Sequence, residues 1–228
     1  MTKIAVVDDS LKALNAIIDT LSSEDWIEVV LKCSDAFEII RYCNNQSNLP
    51  DIILVDVHMD KMDGVILTDY LHDHFPKIKV IGLSTYIAKD IVEDMLSSGA
   101  WGYVNKINLR YLTKAIRSVS TYKVYIDPMI AVDASQRLVL IKERARQKEI
   151  RRELQLTKRE ATFVTLNSSS LEYTEIAQLM DITPKAVINI FARLAKKLHL
   201  KSRHSLLLFS VQKKLTKITH IPDKKEDD

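Results

Sequence analysis

Cysteine is nearly absent from this chain of 228 residues, where Cys33 and Cys43 are the only two. Two thiols at that spacing make neither a zinc site nor a disulfide framework, so ordinary thiols in a reducing compartment are expected. Long apolar runs are missing as well. Charged residues interrupt every hydrophobic stretch before about 18 residues, the length a membrane helix needs. No N-terminal run combines a basic start, an apolar middle and a small-residue cleavage site. The expectation is a soluble, cytoplasmic chain with no membrane partner. A strong overall charge is also lacking, since the net value is +3, while 46% hydrophobic residues fit a globular protein. The length suits one large domain or two ordinary ones, each able to bury a core.

The small net charge conceals an asymmetry. Residues 1–127 hold 13 Lys and Arg against 18 Asp and Glu, a balance of −5, and the remainder holds 20 against 12, or +8. An acidic front and a basic back imply two domains, the second suited to a polyanionic partner.

The front half alternates short β-rich runs with helical patterns: "KIAVVD", "SLKALNAIIDTL", "IEVVLKC", "DAFEIIRYCN", "DIILVDV", "DGVILTDYLHDHF", "IKVIGLS", "AKDIVEDMLSSG", "AWGYVN" and "LRYLTKAIRSV". The runs "IAVV", "IILVDV" and "VIGL" are too continuous for a sheet with one wet face and read as parallel strands buried on both sides. Five β-then-α units predict an α/β doubly wound, five-stranded parallel sheet. In such a sheet ligands bind outside the carboxyl ends of the strands, where the strand order reverses.

That rule directs attention to the strand ends. The first ends at Asp8 and Asp9, the third at Asp56 and the fourth at Ser84, while the fifth leads to Lys106. Any one Asp after a strand is ordinarily a helix cap or turn residue. Five polar residues gathered at four strand ends are harder to assign to capping. Converging carboxylates repel one another and raise at least one pKa unless a hard cation sits between them, and Mg2+ suits an oxygen-only site. One carboxylate can then act as nucleophile toward a phosphoryl group, with the metal, the hydroxyl and the ammonium neutralising its oxygens.

The segments "VVDDS", "ILVDVHMDKMDG", "IGLST" and "GAWGYVNK" closely resemble the motifs of the receiver domain of bacterial two-component response regulators, a flavodoxin-like fold. The resemblance covers residues 1–125 and implies that Asp56 accepts a phosphoryl group from a sensor histidine kinase or a small phosphodonor. It implies that Asp9, Asp56 and the backbone carbonyl of His58 bind Mg2+ directly and that Asp8 acts through water. Ser84 and Lys106 would hold the phosphoryl oxygens, and Tyr103 matches the switch aromatic that turns inward as the hydroxyl moves. Two departures stand out: Asp60 replaces the usual proline after the phosphoacceptor, and His58 and Tyr86 occupy positions that tune phosphoryl lifetime without being of the usual small or acidic type. Their bulk is expected to slow the attacking water.

Residues 126–152 include "SQRLVLIKERARQKEIRR", a run without Pro or Gly and rich in strong helix formers, and read as a helical or charged linker. The pattern then tightens. Thr157 and Glu160 have capping-box spacing, and Thr183 with Pro184 marks a further helix start. The short turn "MDI" before that start gives helix-turn-helix geometry. The succession "LTKRE", "EIAQLMDITPKAV", "KKLHLKSR" resembles the all-α, four-helix LuxR-type domain that ends response regulators of the NarL/FixJ class, over residues 153–213. The resemblance implies that the third helix enters the major groove of double-stranded DNA and that the last helix pairs two copies, for which "LLLF" at 206–209 supplies apolar surface.

In "TPKAVINIFARLAKKL", Val187, Ile190, Phe191, Leu194 and Leu198 share the core face. The opposite face carries Lys185, Ile188, Asn189, Ala192, Arg193, Lys196 and Lys197, beginning at Thr183. Relative to the family, the basic residue usual at Ile188 and the histidine usual at Ile190 are lost. Asn189 can still bind adenine, Arg193 guanine or phosphate, and Ile188 or Ala192 thymine methyls. Lys196, Lys197, Lys201 and Arg203 can neutralise phosphates.

The expected protein is a phosphorylation-controlled, DNA-binding transcription regulator that forms a homodimer when phosphorylated, and no enzyme beyond its own phosphoryl transfer and hydrolysis. An output domain that binds a protein through the apolar patch at Ile188 is the alternative. A phosphatase using the same rim is disfavoured by the single convergent lysine and the lack of a general acid. The tail 214–228 mixes charges and is expected to be disordered.

Overall fold

In a computed structural model, residues 1–86, 88–130 and 134–217 are described, those at 134–142 by their backbone alone. The chain divides into two units, Met1–Glu149 and Ile150–Asp228.

The first unit is a parallel sheet in the order β2-β1-β3-β4-β5-β6. Its strands are β1 (Thr2–Val7), β2 (Ile27–Cys33), β3 (Ile52–Asp56), β4 (Lys79–Ser84), β5 (Gly102–Asn105) and β6 (Tyr125–Ile126). Between them run α1 (Leu11–Ser22), α2 (Ala36–Asn45), α3 (Gly64–His74), α4 (Lys89–Ser97) and α5 (Leu112–Ser120), the last entered through a 3-10 turn at Leu109–Tyr111. The continuous apolar runs are the inner strands. Every residue of β3, β4 and β5 is buried, as is β1 from Ile4 to Val7, which is what strands covered by helices on both faces require. Ser10, Asp35 and Asp63 cap α1, α2 and α3 by accepting from the backbone amides of Ala13, Glu38 and Ile66. Each helix therefore starts directly after a strand end or rim loop.

Among the described residues a sixth strand joins the five expected. The extra strand, β6, is two residues long, too short to leave a periodic signal. It extends the sheet because Tyr125 N–H donates to the Trp101 carbonyl and Asp127 N–H to that of Tyr103. Asp127 is wholly buried, its carboxylate accepting from the amides of Asn105 and Met129. The folded unit therefore continues past 125, through Ile130. Beyond it the helix α6 (Ala134–Glu153) realises the helical version of the linker.

Among its described residues the second unit holds the end of α6, then α7 (Lys158–Leu166), α8 (Tyr173–Leu179), α9 (Pro184–Leu198) and α10 (Arg203–Gln212). The capping box of Thr157 and Glu160 forms as its spacing predicts, and Thr183 caps α9 with Pro184 in its first turn. Val187, Ile190 and Leu194 are buried, with Phe191 and Leu198 half-buried beside them. Phe191 meets Phe163 and Tyr173 at ring-centroid distances of 6.4 and 6.5 Å. The turn from α8 to α9 is tight: Asp181 takes φ 51° and Ile182 N–H donates to the Ala177 carbonyl. Within "LLLF", Leu206 is core while Leu208 is exposed. The tail does not start at 214 as expected, because Leu215 and Thr216 are buried. From 218 onward it lies outside the described residues.

His72 on α3 illustrates the cost of this packing. Burial, then the nearby positive charge of Arg144, lower its pKa to about 4, with Lys148 adding to this and Asp73 opposing it. The folded pKa lies below the ordinary 6.5, so the unfolded chain binds the proton more readily. Stability is full above pH 6.5 and declines as the pH falls toward about 4. Urea titrations across that window should show a shallower decline for His72→Gln than for the wild-type chain.

Candidate functional site

The order β2-β1-β3 places the switch point of the sheet between β1 and β3, and the carboxylates from those two strand ends meet there. Asp8, Asp9 and Asp56 each offer an oxygen, and these atoms lie within 4.8 Å of one another. Asp8 and Asp56 are buried and Asp9 is exposed, so the cluster opens to solvent on the Asp9 side. Lys106, just past β5, inserts its ammonium 2.9 Å from Asp8 Oδ2 and 2.9 Å from Asp56 Oδ1. Its position is fixed by its own amide, which donates to the Ser84 carbonyl. Burial raises the pKa of Asp56, with the neighbouring Asp8 charge adding to it and the Lys106 hydrogen bond and charge only partly offsetting it. The arrangement is a set of hard oxygen donors with one matching cation. It suits a small divalent ion such as Mg2+, which binds through a few carboxylates and keeps some of its water.

The backbone around Asp56 is held by Gly64. A Cβ at this position would lie 2.3 Å from the Asp56 carbonyl oxygen and 2.9 Å from Val57 Cα. The amide of Gly64 donates to the Val57 carbonyl, closing the loop that carries His58 and Asp60 back onto β3. Asp60 itself is exposed, a carboxylate in solvent.

Ser84 is fully buried at the end of β4. Its hydroxyl accepts from the Tyr86 amide at 3.0 Å and lies 3.4 Å from His58 Nδ1. The His58 and Tyr86 rings meet edge to face at 5.3 Å, so the two bulky residues close one side of the rim together. Tyr103 is turned inward and fully buried, and its hydroxyl donates to the Tyr86 carbonyl at 3.0 Å. Burial is the main cause that pushes this phenol up to about 12. Room for the ring comes from Gly82, its partner across the β4–β5 pair, where a Cβ would stand 3.2 Å from Tyr103 Cδ2.

In the second unit the outer face of α9 divides into two kinds of residue. Ile188 is 49% exposed, and Lys185, Asn189, Arg193 and Lys196 are exposed alongside it. Lys201 is exposed just beyond the helix. Thr183 is spent on its capping bond to the Ala186 amide. Lys197 and Arg203, expected to face phosphates, are engaged within the domain. Lys197 Nζ donates to the Gln155 carbonyl at 2.7 Å and to Glu160 Oε2 at 3.0 Å. Arg203 donates to Asn167 Oδ1 and to the Leu171 carbonyl, and its guanidinium lies over the Tyr173 ring. Their physical role is to tie α9 and α10 back to α7 and the loop after it. Arg159 at the start of α7 was missed because its sequence context reads as a helix cap. It lines a shallow concavity with Asn189 and Arg193, floored by Ile182, Ala186, Ile190 and Ala192.

The folded frame defines a class: a doubly wound α/β domain with an acidic rim suited to a cation, followed by a helix-turn-helix unit. Residues 4–117 match the response regulator receiver domain family, and the chain belongs to that family. It is 29% identical over 214 residues to the response regulator protein VraR of Staphylococcus aureus, covering 93% of this chain and 98% of that protein. Among solved structures it resembles the RcsB response regulator of Salmonella typhimurium, with a TM-score of 0.51, 20% identity and coverage of 92% and 98% of the two chains. The isolated receiver domain of RcsB from Salmonella enterica serovar Typhimurium gives a TM-score of 0.53 at 22% identity, over 57% of this chain. These full-length likenesses bear out the NarL/FixJ-like plan. Among the described residues no helix is long and apolar enough to cross a membrane.

The contact at Gly64 generates a prediction. Gly64→Ala forces a methyl against the Asp56 carbonyl, so the loop must shift, at a cost of about 1–3 kcal/mol. Chemical denaturation should show that loss. Mg2+ titration followed by Trp or Tyr fluorescence should show weaker binding in the fraction that remains folded.

Proposed function

We propose that this chain is a two-component response regulator in which Asp56 is the phosphoacceptor and the helix-turn-helix unit binds double-stranded DNA to regulate transcription. The observation that carries the reading is the Lys106 ammonium at 2.9 Å from both Asp8 and Asp56, at the switch point of the sheet. In the transfer, an Asp56 carboxylate oxygen forms a bond to phosphorus as the bond from phosphorus to the donor breaks. The donor, a kinase phosphohistidine or a small acyl phosphate, leaves with the electron pair. Asp8, Asp9, Asp56 and the His58 carbonyl would hold Mg2+, which when bound supplies positive charge toward the phosphoryl oxygens. Lys106 turns from Asp56 to a phosphoryl oxygen, and the Ser84 hydroxyl leaves His58 to donate to another. Hydrolysis of the acyl phosphate needs a water on the far side of phosphorus, and the paired rings of His58 and Tyr86 obstruct that approach.

Movement of Ser84 disturbs the Tyr86 segment that receives the Tyr103 hydroxyl. The phosphorylated state thereby favours a different receiver surface, a population shift that pairs or releases the output domains as a dimer. On the DNA side, Asn189 and Arg193 are the base-reading candidates, Ile188 and Ala192 offer contacts to thymine methyls, and Arg159, Lys185, Lys196 and Lys201 face phosphates. RcsB of Salmonella has been solved bound to promoter rprA in the presence of a phosphomimetic, which supports this assignment by likeness. A protein partner for the output domain is the second reading, favoured by Ile188 standing exposed at the centre of the helix face.

The deciding experiment is selection of sites from a random DNA pool by the full-length chain, with and without a phosphodonor. Enrichment of a two-fold symmetric site, bound more tightly after phosphorylation and with no such gain in Asp56→Ala, is the expected result. Absence of enrichment in folded, phosphorylated protein would transfer the output role to a protein partner. Side-chain roles separate as well. Arg193→Ala or Arg159→Ala should weaken DNA binding and reduce its salt dependence while leaving folding intact. Lys197→Ala should instead destabilise the second unit by about 1–2 kcal/mol, because it strips Glu160 of its charged partner.

A further inference from the structure

The outward face of α9 carries one side chain out of keeping with its neighbours. Ile188, in the second turn of the helix, is 49% exposed, and Lys185, Asn189, Arg193 and Lys196 stand exposed around it. Ala192 and Ala195 follow at i+4 and i+7, the spacing of one helix face. Both are too short to cover an isoleucine, so the three residues form an apolar lane between cations. The start of the helix is set before anything docks on it. Thr183 Oγ1 accepts from the Ala186 amide at 3.2 Å, and Pro184 stands in the first turn. Ile188 is itself stiff, because a β-branched side chain in a helix keeps essentially one χ1 rotamer. Pressing it against a partner therefore costs less side-chain entropy than ordering a lysine or an arginine there. It has no hydrogen-bond donor or acceptor on its side chain, so it can choose between partners only by their shape and apolar surface.

We propose that Ile188 sets the base preference of the second unit by packing on the C5 methyl group of a thymine in the major groove. The inference rests on the reading of this unit as DNA-binding. The charges around the lane favour that reading over an apolar protein partner: Lys185, Arg193, Lys196 and Lys201, with Arg159 from α7, flank it and match a polyanion. Among the four bases only thymine presents a methyl group on its major-groove edge. The residues near the N-terminus of a helix lying in the groove are those that reach base edges, and Ile188 is so placed. The face of α9 then divides its work. The cations attract phosphates, an interaction that is blind to sequence and weakens with salt. The isoleucine removes apolar surface from water, which selects the methyl-bearing base and releases no counterions. A lysine at the same position would have the opposite properties, because it pairs with guanine O6 and N7 and adds a charge.

The test uses the full-length chain, with Mg2+ and a phosphodonor, and the duplex site enriched from the random pool. Each thymine of that site is replaced in turn by uracil, which removes the methyl and leaves base pairing intact. At one position of each half-site the replacement should weaken binding about fourfold, or about fifteenfold with both halves changed, from ~0.8 kcal/mol per buried carbon group. The penalty should be equal at low and high salt, although overall affinity falls steeply with salt. At the same position 5-methylcytosine should bind more tightly than cytosine, since the methyl returns on a base with a different exocyclic group. Ile188→Ala should erase the uracil penalty and keep the wild-type salt slope. Ile188→Lys should move the selected base from thymine toward guanine and steepen the slope by about one. Thermal unfolding checks that both variants fold, and the uracil series on the wild-type chain needs no variant. An enriched site that tolerates uracil at every thymine, or a penalty that persists in Ile188→Ala, would overturn the role of Ile188 and leave DNA binding standing. No enriched site at all would overturn both, and would assign the lane to a protein partner.

Discussion

One ammonium group holds the first unit's chemistry in place. Asp8 and Asp56 come from neighbouring strands, both are buried, and both point at the same small volume. Burial raises the pKa of Asp56, and the Asp8 charge adds to it. Lys106, from the far side of β4, lies 2.9 Å from each, and its hydrogen bond and charge partly offset that rise. Strand order, the tight seat of Gly64 behind Asp56 and the bond from the Lys106 amide to Ser84 all serve to bring that ammonium to that point. On the proposed reading, a phosphoryl group on Asp56 would compete for the same cation and rearrange what Lys106 and Ser84 hold.

The second unit distributes its cations by a different logic. Lys197 and Arg203 read as DNA contacts in the sequence because they are basic and lie at the end of α9 and at the start of α10. Their distances to Glu160, Gln155, Asn167 and Leu171 show them holding helices together instead. Glu160 has a double use, closing the capping box of α7 and receiving Lys197. Burial works to raise its pKa, but these bonds to Thr157 and Lys197 outweigh it, and the net shift is downward. The basic residues exposed around this face are Lys185, Arg193, Lys196 and Lys201, with Arg159 contributed from α7. The exposed face of α9 is thus apolar at its middle, at Ile188, and charged at its margins.

Much of this architecture was legible in the residues. Doubly buried parallel strands announce themselves as unbroken apolar runs, and a site at strand ends follows from the sheet's geometry. The caps at Thr157, Thr183 and Pro184 marked helix starts because capping is a local interaction read within a few residues. What escaped was non-local or too short to be periodic. The strand β6 has two residues and is defined by its neighbours' carbonyls. Leu215 looked like part of a charged tail until the core of the second unit enclosed it. Arg144 sat in a uniformly charged helix, indistinguishable there from residues facing solvent.

The sequence by itself determined the alternation of strands and helices, the two-domain plan, the identity of the five rim residues and the face of α9 that must be buried. These depend on periodicity and local backbone chemistry, which are properties of short stretches of chain. Only the tertiary structure decided which charges are partners and which are free: Lys106 between Asp8 and Asp56, Lys197 on Glu160, Arg203 on Asn167, Arg144 between α3 and α4. A long cationic side chain has no local preference that fixes its direction. Its partner is set by which carboxylate or carbonyl the fold brings within reach and removes from water, and that pairing is decided between residues far apart along the chain.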